Sequence, residues 1–178
     1  MTSTAVKEAT TAAREAETAD SGAKVVGDSV TIGNFGRYRT QIDAKVTVVE
    51  KVKLPEALAK TFTDGQYRTV VTNEEITVYR VFGYNARSNG TFATTNPASS
   101  AIQAKIDSAI LPEWKNSLQY EAEIIVPKGT ILNIGRVEEQ FTLSGTRLVG
   151  NADQILLPLG WDDLNWIKSI REISVGGK

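Results

Sequence analysis

Val78, Arg80 and Phe82 alternate with Tyr79 and Val81. A strand here puts a guanidinium on the same face as two apolar side chains. Gly83 follows, then a polar turn containing Gly90, then the run Thr91–Thr95. A cation beside bare backbone and hydroxyls suits a phosphate-bearing ligand, because guanidinium matches phosphate bidentately. The same residues also describe an arginine on a half-buried strand before an ordinary turn. Within Thr91–Thr95, Phe92 offers a ring to stack on a flat ligand, and Thr94 and Thr95 offer hydroxyls to a sugar. Threonine and aromatics are also simply good strand formers. Gly150-Asn151-Ala152-Asp153-Gln154 brings an amide or a carboxylate to the mouth of an apolar strand, or is a turn with an exposed glutamine. Glu138-Glu139 is a further acidic pair in a loop, where the ordinary reading is a solvated turn.

Composition narrows the chemistry. Of 178 residues, 41% are hydrophobic and 23% charged, enough for a packed core. There is no cysteine and no histidine. Disulfides, thiolate metal sites, the usual zinc sites, serine–histidine triads and histidine acid–base catalysis are therefore excluded. No metal site is expected, and any enzyme here works with carboxylates, amides, hydroxyls, lysine, arginine or tyrosine. The net charge of −1 disfavours nucleic acid as a partner. Apolar runs fall far short of the roughly 20 residues of a spanning helix, so no membrane insertion is expected. The first residues lack the basic start and apolar block of a secretory leader.

The elements that must position these groups are mostly strands. Residues 1–22 are rich in Ala, Thr and Glu and read as a helical or disordered arm; 23–178 read as one domain. Val25, Val30 and Ile32 are strand-like, and Tyr38–Val52 alternates as a strand. Leu54–Phe62 suggests a short helix with Pro55 at its first position, and Thr63–Gly65 a turn. Tyr67–Thr72 and Ile76–Phe82 around Asn73–Glu75 read as a hairpin. Asn96 and Pro97 predict the start of an amphipathic helix over 98–110, ended by Leu111-Pro112. Strands are expected over 119–126, 130–136, near Phe141 and Leu143, over 154–157 and over 170–175, with an irregular stretch around Trp161–Ile167. Strands outnumber helices and hairpins outnumber crossovers, so the fold class is α+β.

The order of these pieces resembles the ADP-ribosyltransferase-like toxin fold, in particular NAD glycohydrolase domains of the tuberculosis necrotizing toxin type. The segments that carry it are YRVFG, then GTFATTNPAS, ILPEW, YEAEIIVPKGTILNIG and VGNADQILLP, across roughly residues 76–158. The resemblance implies a split antiparallel β-sheet core with short helices. It implies that Arg80 holds the diphosphate of NAD, with Phe82 and Gly83 beside it. Gln154 would be the catalytic glutamine, and Phe92, Thr94 and Thr95 would line the nicotinamide-ribose pocket. NAD or NADP would be the substrate, with no separate cofactor. The chain would be secreted or delivered into a target cell, as the C-terminal part of a longer protein, and a cognate immunity protein would block it. One departure stands out: the necrotizing-toxin pattern uses a histidine, and this chain has none.

The chemistry tolerates that loss, because nicotinamide leaves NAD as a neutral molecule and needs no general acid. The barrier lies in a ribose oxocarbenium ion, which a fixed oxygen can stabilise. An amide cannot accept a proton as a carboxylate does, which favours hydrolysis over transfer. Transfer of ADP-ribose to a protein or nucleic acid is the alternative, with Glu138, Glu139 or Asp153 as base. A non-enzymatic β-rich binding module, with its three tryptophans as interface, is the rival of another class.

Overall fold

The computed structural model describes residues 35–176; the expected arm and the strand-like stretch around Val25, Val30 and Ile32 lie outside them. The described elements run β1 (Val46–Val48), α1 (Glu56–Ala59), β2 (Phe62–Thr72), β3 (Ile76–Tyr84), β4 (Phe92–Ala93), α2 (Ala101–Asp107), β5 (Asn116–Val126), β6 (Ile131–Val137), β7 (Gln140–Phe141), β8 (Arg147–Leu148), β9 (Asp153–Leu156) and β10 (Ile167–Glu172). The class is α+β, mainly β. Every ladder between these strands is antiparallel. One sheet has the order β1-β2-β6-β9-β4, a second the order β10-β5-β3, and β7-β8 form a separate pair. The two larger sheets meet edge to edge at a single bridge, where Tyr79 and Thr94 exchange backbone hydrogen bonds of 2.7 and 2.8 Å.

Their inner faces enclose one core. Val70, Leu132, Ile134 and Ile155 come from the first sheet and Ile76, Val78, Ala122 and Ile124 from the second, with Trp161 closing it. A smaller cluster of Leu54, Leu58, Phe62, Tyr67 and Leu156 lies on the opposite face of β9.

The expected hairpin of β2 and β3 does not form. The strands enter different sheets, so Val70 and Val78 face each other across the core instead of lying side by side. The chain turns the same corner again between β5 and β6. Thr72 ties the two crossings: its N–H donates to Thr130 O, its O accepts from Gly129 N, and its hydroxyl donates to Pro127 O. Consecutive strands therefore pair only at β1-β2, across α1, and at β7-β8 among the described residues.

Other expectations shift as well. Over 38–52 only Val46–Val48 is strand; 3₁₀ turns occupy Gly36–Tyr38 and Asp43–Lys45. The intervening backbone is used instead to bond Arg136 and Asp153. Pro55 precedes α1 as its cap, and Phe62 already belongs to β2, where Asp64 and Gly65 have positive φ inside a bulge. The second helix starts later than Asn96-Pro97, because Ser100 caps it by accepting from Gln103 N. The last strand runs Ile167–Glu172, earlier than 170–175. Among the described residues no helix is long and apolar enough to cross a membrane.

Candidate functional site

Arg80 lies opposite Ala122 in the β3-β5 ladder and shares the core face with the fully buried Val78. Its stem continues that apolar row, and its head leaves it toward the loop before β4. There Nε donates to Arg87 O and Nη1 to Phe92 O, both at 2.9 Å. Trp161 Nε1 donates to Gly90 O at 3.2 Å from the other side of the same loop. Arg80 has no carboxylate within ion-pair distance among the described residues. Desolvation without a counter-charge lowers its pKa to about 10, which still leaves it cationic at neutral pH.

Gly90 is required by this arrangement, since a Cβ there would overlap the guanidinium of Arg80. Gly90→Ala is expected to displace the arginine head and weaken binding of a phosphate-bearing ligand about tenfold, a loss of about 1.4 kcal/mol. Titrating wild type and variant with inorganic pyrophosphate measures this; equal affinities would mean the head does not meet the ligand.

Beside this loop lies a shallow, widely open cleft of about 590 Å³. Phe82 and Tyr120, partners across the β3-β5 ladder, form part of its wall with ring centroids 5.6 Å apart. Gly83, Arg87, Asn89, Asp162 and Ile167 also line it. Gly83 has φ +149, and the Ser117 side chain fills the space a Cβ would need. Asn89 Nδ2 reaches Asp162 Oδ2 at a long 3.4 Å.

Of the residues singled out in the sequence, Phe82 and Gly83 line this cleft, whereas Arg80 lies behind the loop that borders it, bonded to that loop's carbonyls, and is not part of the lining. Phe92 pairs with Leu156 and packs on the smaller cluster, so its ring lies on the opposite face from Ala93; Thr94 follows on Phe92's face. Thr95 turns back to the core side and donates to Asp153 Oδ2 at 2.5 Å. Gln154 alternates with the core residue Ile155, is 6% exposed, and donates from Nε2 to Thr61 Oγ1 at 2.8 Å. Arg80 and Gln154 therefore project on different sides of the five-stranded sheet, and the structure does not join them in one cleft. Tyr120 and Asp162 escaped the sequence reading. Tyr120 meets Phe82 only through strand register, and Asp162 comes from a 3₁₀ turn with no motif of its own.

The core side of the first sheet holds a second polar group. Arg68 pairs with Asp43, donates to Tyr38 O and lies over the Phe35 ring. Arg136 pairs with Asp153 at 3.1 Å and donates to Arg39 O and Asn151 O. These bonds strap residues 35–43 across the sheet. Comparison with family models, curated proteins and solved structures gives no match to this chain.

Proposed function

We propose that the chain is an NAD(P) glycohydrolase domain of the ADP-ribosyltransferase-like type, splitting its substrate into nicotinamide and ADP-ribose. Arg80 carries this reading. Four other arginines of the strands are matched by acids: Arg68 by Asp43, Arg136 by Asp153, Arg147 by Glu139 and Arg171 by Glu121. Among the described residues Arg80 is held only by carbonyls, behind the loop that borders an aromatic-walled cleft, so its charge is left for a ligand anion that reaches past that loop. Two antiparallel sheets joined at the Tyr79–Thr94 bridge beside this strand agree with a split-sheet core.

In the reaction the bond from ribose C1′ to the ring nitrogen breaks, and its electron pair neutralises the pyridinium. Water bonds to C1′ and releases a proton to solvent. Arg80 binds the diphosphate, and that remote binding energy orients the ribose. Transfer to a macromolecular acceptor is less favoured because the candidate bases are engaged. Glu138 accepts from the N–H groups of Asp64 and Glu139, Glu139 pairs with Arg147, and Asp153 pairs with Arg136. Of the three tryptophans, Trp161 is fully buried and Trp166 packs on the core, which leaves the exposed Trp114 alone as interface for the binding-module reading.

Pure protein incubated with NAD or NADP is expected to release nicotinamide without any acceptor. Release only in the presence of a lysate would indicate transfer, and no release with no binding would leave the module. Gln154→Ala is expected to keep turnover within about threefold, because its amide bonds Thr61 on the far side of the sheet. A loss above about 100-fold with the fold intact would return Gln154 to the reaction. In a toxin setting, an immunity protein would act by covering the cleft.

A further inference from the structure

Asn89-Gly90 is the one Asn-Gly step in the chain. It lies in the loop before β4, in a turn closed by Gly90 N–H donating to Arg87 O at 3.3 Å. Asn89 is exposed, and among the described residues its side chain makes a single long contact, from Nδ2 to Asp162 Oδ2 at 3.4 Å. The amide is free to swing toward the next peptide nitrogen, and Gly90 has no Cβ to screen that nitrogen. The other asparagines of the described residues lack one of these conditions. Asn96 precedes Pro97, which has no N–H; Asn133 is fully buried; every other one precedes a residue whose side chain crowds the nitrogen. The position of Gly90 also holds the loop in two ways. Its O accepts from Trp161 Nε1 at 3.2 Å, and its Cα lies so close to the Arg80 guanidinium that a Cβ would overlap it.

We propose that Asn89 is a self-modification site, converted without an enzyme to aspartyl and isoaspartyl residues, and that conversion releases this loop from Asp162 and Arg80. Gly90 N gives its proton to solvent and bonds to Asn89 Cγ. The Cγ–Nδ2 bond breaks, and ammonia leaves after taking a proton from solvent, so a cyclic imide remains. Water then opens the imide. Breaking the bond from Gly90 N to Cγ gives the aspartyl product; breaking the bond to the main-chain carbonyl carbon gives the isoaspartyl one, whose main chain is longer by a methylene group. Either product sets a second carboxylate against Asp162 where an amide donor stood, and the like charges repel. The isoaspartyl form also shifts Gly90 away from Trp161 and Arg80. Released, the loop no longer screens Arg80 from solvent. Neither step needs NAD or any other ligand, so the site exists whether or not the chain is a glycohydrolase.

The test holds the whole chain at mildly alkaline pH and body temperature over days and maps its peptides by mass spectrometry, with fragmentation that separates the two products. Asn89 is expected to convert at least about tenfold faster than Asn85 or Asn151, which are exposed but precede alanine. Brief trypsin treatment of the folded protein reads the loop. Cleavage after the exposed Arg87 is expected to be at least about fivefold faster in the converted fraction than in fresh protein. Asn89→Asp, which adds the charge without lengthening the chain, is expected to fall between them. Asn89→Gln, whose side chain must close a larger ring, is expected to keep both its amide and its own cleavage rate through the same treatment. Conversion at Asn89 no faster than at Asn85 or Asn151 overturns the proposal. So does converted protein cut at the fresh rate, or an Asn89→Gln variant that changes with time as wild type does.

Discussion

Arg80→Ala is expected to lower kcat/KM for NAD by about 10²–10³-fold, a loss of about 3–4 kcal/mol in transition-state stabilisation. The guanidinium has no acid partner among the described residues, and its two carbonyl bonds fix it behind the loop that borders the cleft. Arg80→Lys is expected to recover only a small part. An ammonium keeps the charge but cannot bridge Arg87 O, Phe92 O and a phosphate with a planar fork. Nicotinamide release at subsaturating NAD measures both variants, with thermal midpoints recorded alongside because the loop before β4 loses its anchor. Turnover within about threefold of wild type in Arg80→Ala would end the assignment of the diphosphate to this residue.

The second large effect falls on stability. Asp153 is 5% exposed and accepts from Arg136 Nη1, from Gln41 N at 2.8 Å and from the Thr95 hydroxyl. It thus joins β6, β9, the strap over 35–43 and the chain after β4. Asp153→Ala leaves a partly buried guanidinium without its carboxylate and strands the Gln41 N–H. Breaking one partner of such a buried pair costs about 3–5 kcal/mol. For a chain of this size that lowers Tm by about 10 °C. Asp153→Asn, which can still accept from Gln41 and Thr95, is expected to lose about half as much. Thermal unfolding followed by circular dichroism decides; a midpoint within about 2 °C of wild type for the alanine variant would show that the strap contributes little.

Several strands were legible because their residues answer to local rules. Before Pro127-Lys128-Gly129, Tyr120, Ala122 and Ile124 alternate with Gln119, Glu121 and Glu123, and the run after it is mostly apolar; both are strands, β5 and β6. Their partners were not legible. A Pro-Gly turn announces a change of direction but not whether the chain returns beside itself or crosses to a facing sheet, and Thr72 settles that from a distant strand. Tyr38, Ile42, Val46 and Val48 alternate like a strand, yet Arg68, Arg136 and Asp153 claim most of that backbone for the strap. At the site, alternation along Val78–Phe82 correctly gave the face that Arg80 shares with Val78. The lack of an acid partner, and the meeting of Tyr120 with Phe82, depend on register across the sheet and left no local mark. Placing Gln154 required knowing which face of β9 meets the core, and a fully buried strand, Asp153–Leu156, carries no alternation to reveal it.

The exchange of strands at the Thr72 corner also governs how quickly the chain can reach its native form. Ile76 must find Val126, Val71 must find Ile131, and Phe92 must find Leu156 before the main ladders grow. Among the described residues the pairings of strands adjacent in sequence, Gln140–Phe141 with Arg147–Leu148 and Val46–Val48 with residues 70–72, span only two and three residues and are too short to act as a nucleus. Loop-closure entropy is therefore spent early and recovered late, which puts this topology among the slow folders, in the range of about milliseconds to seconds.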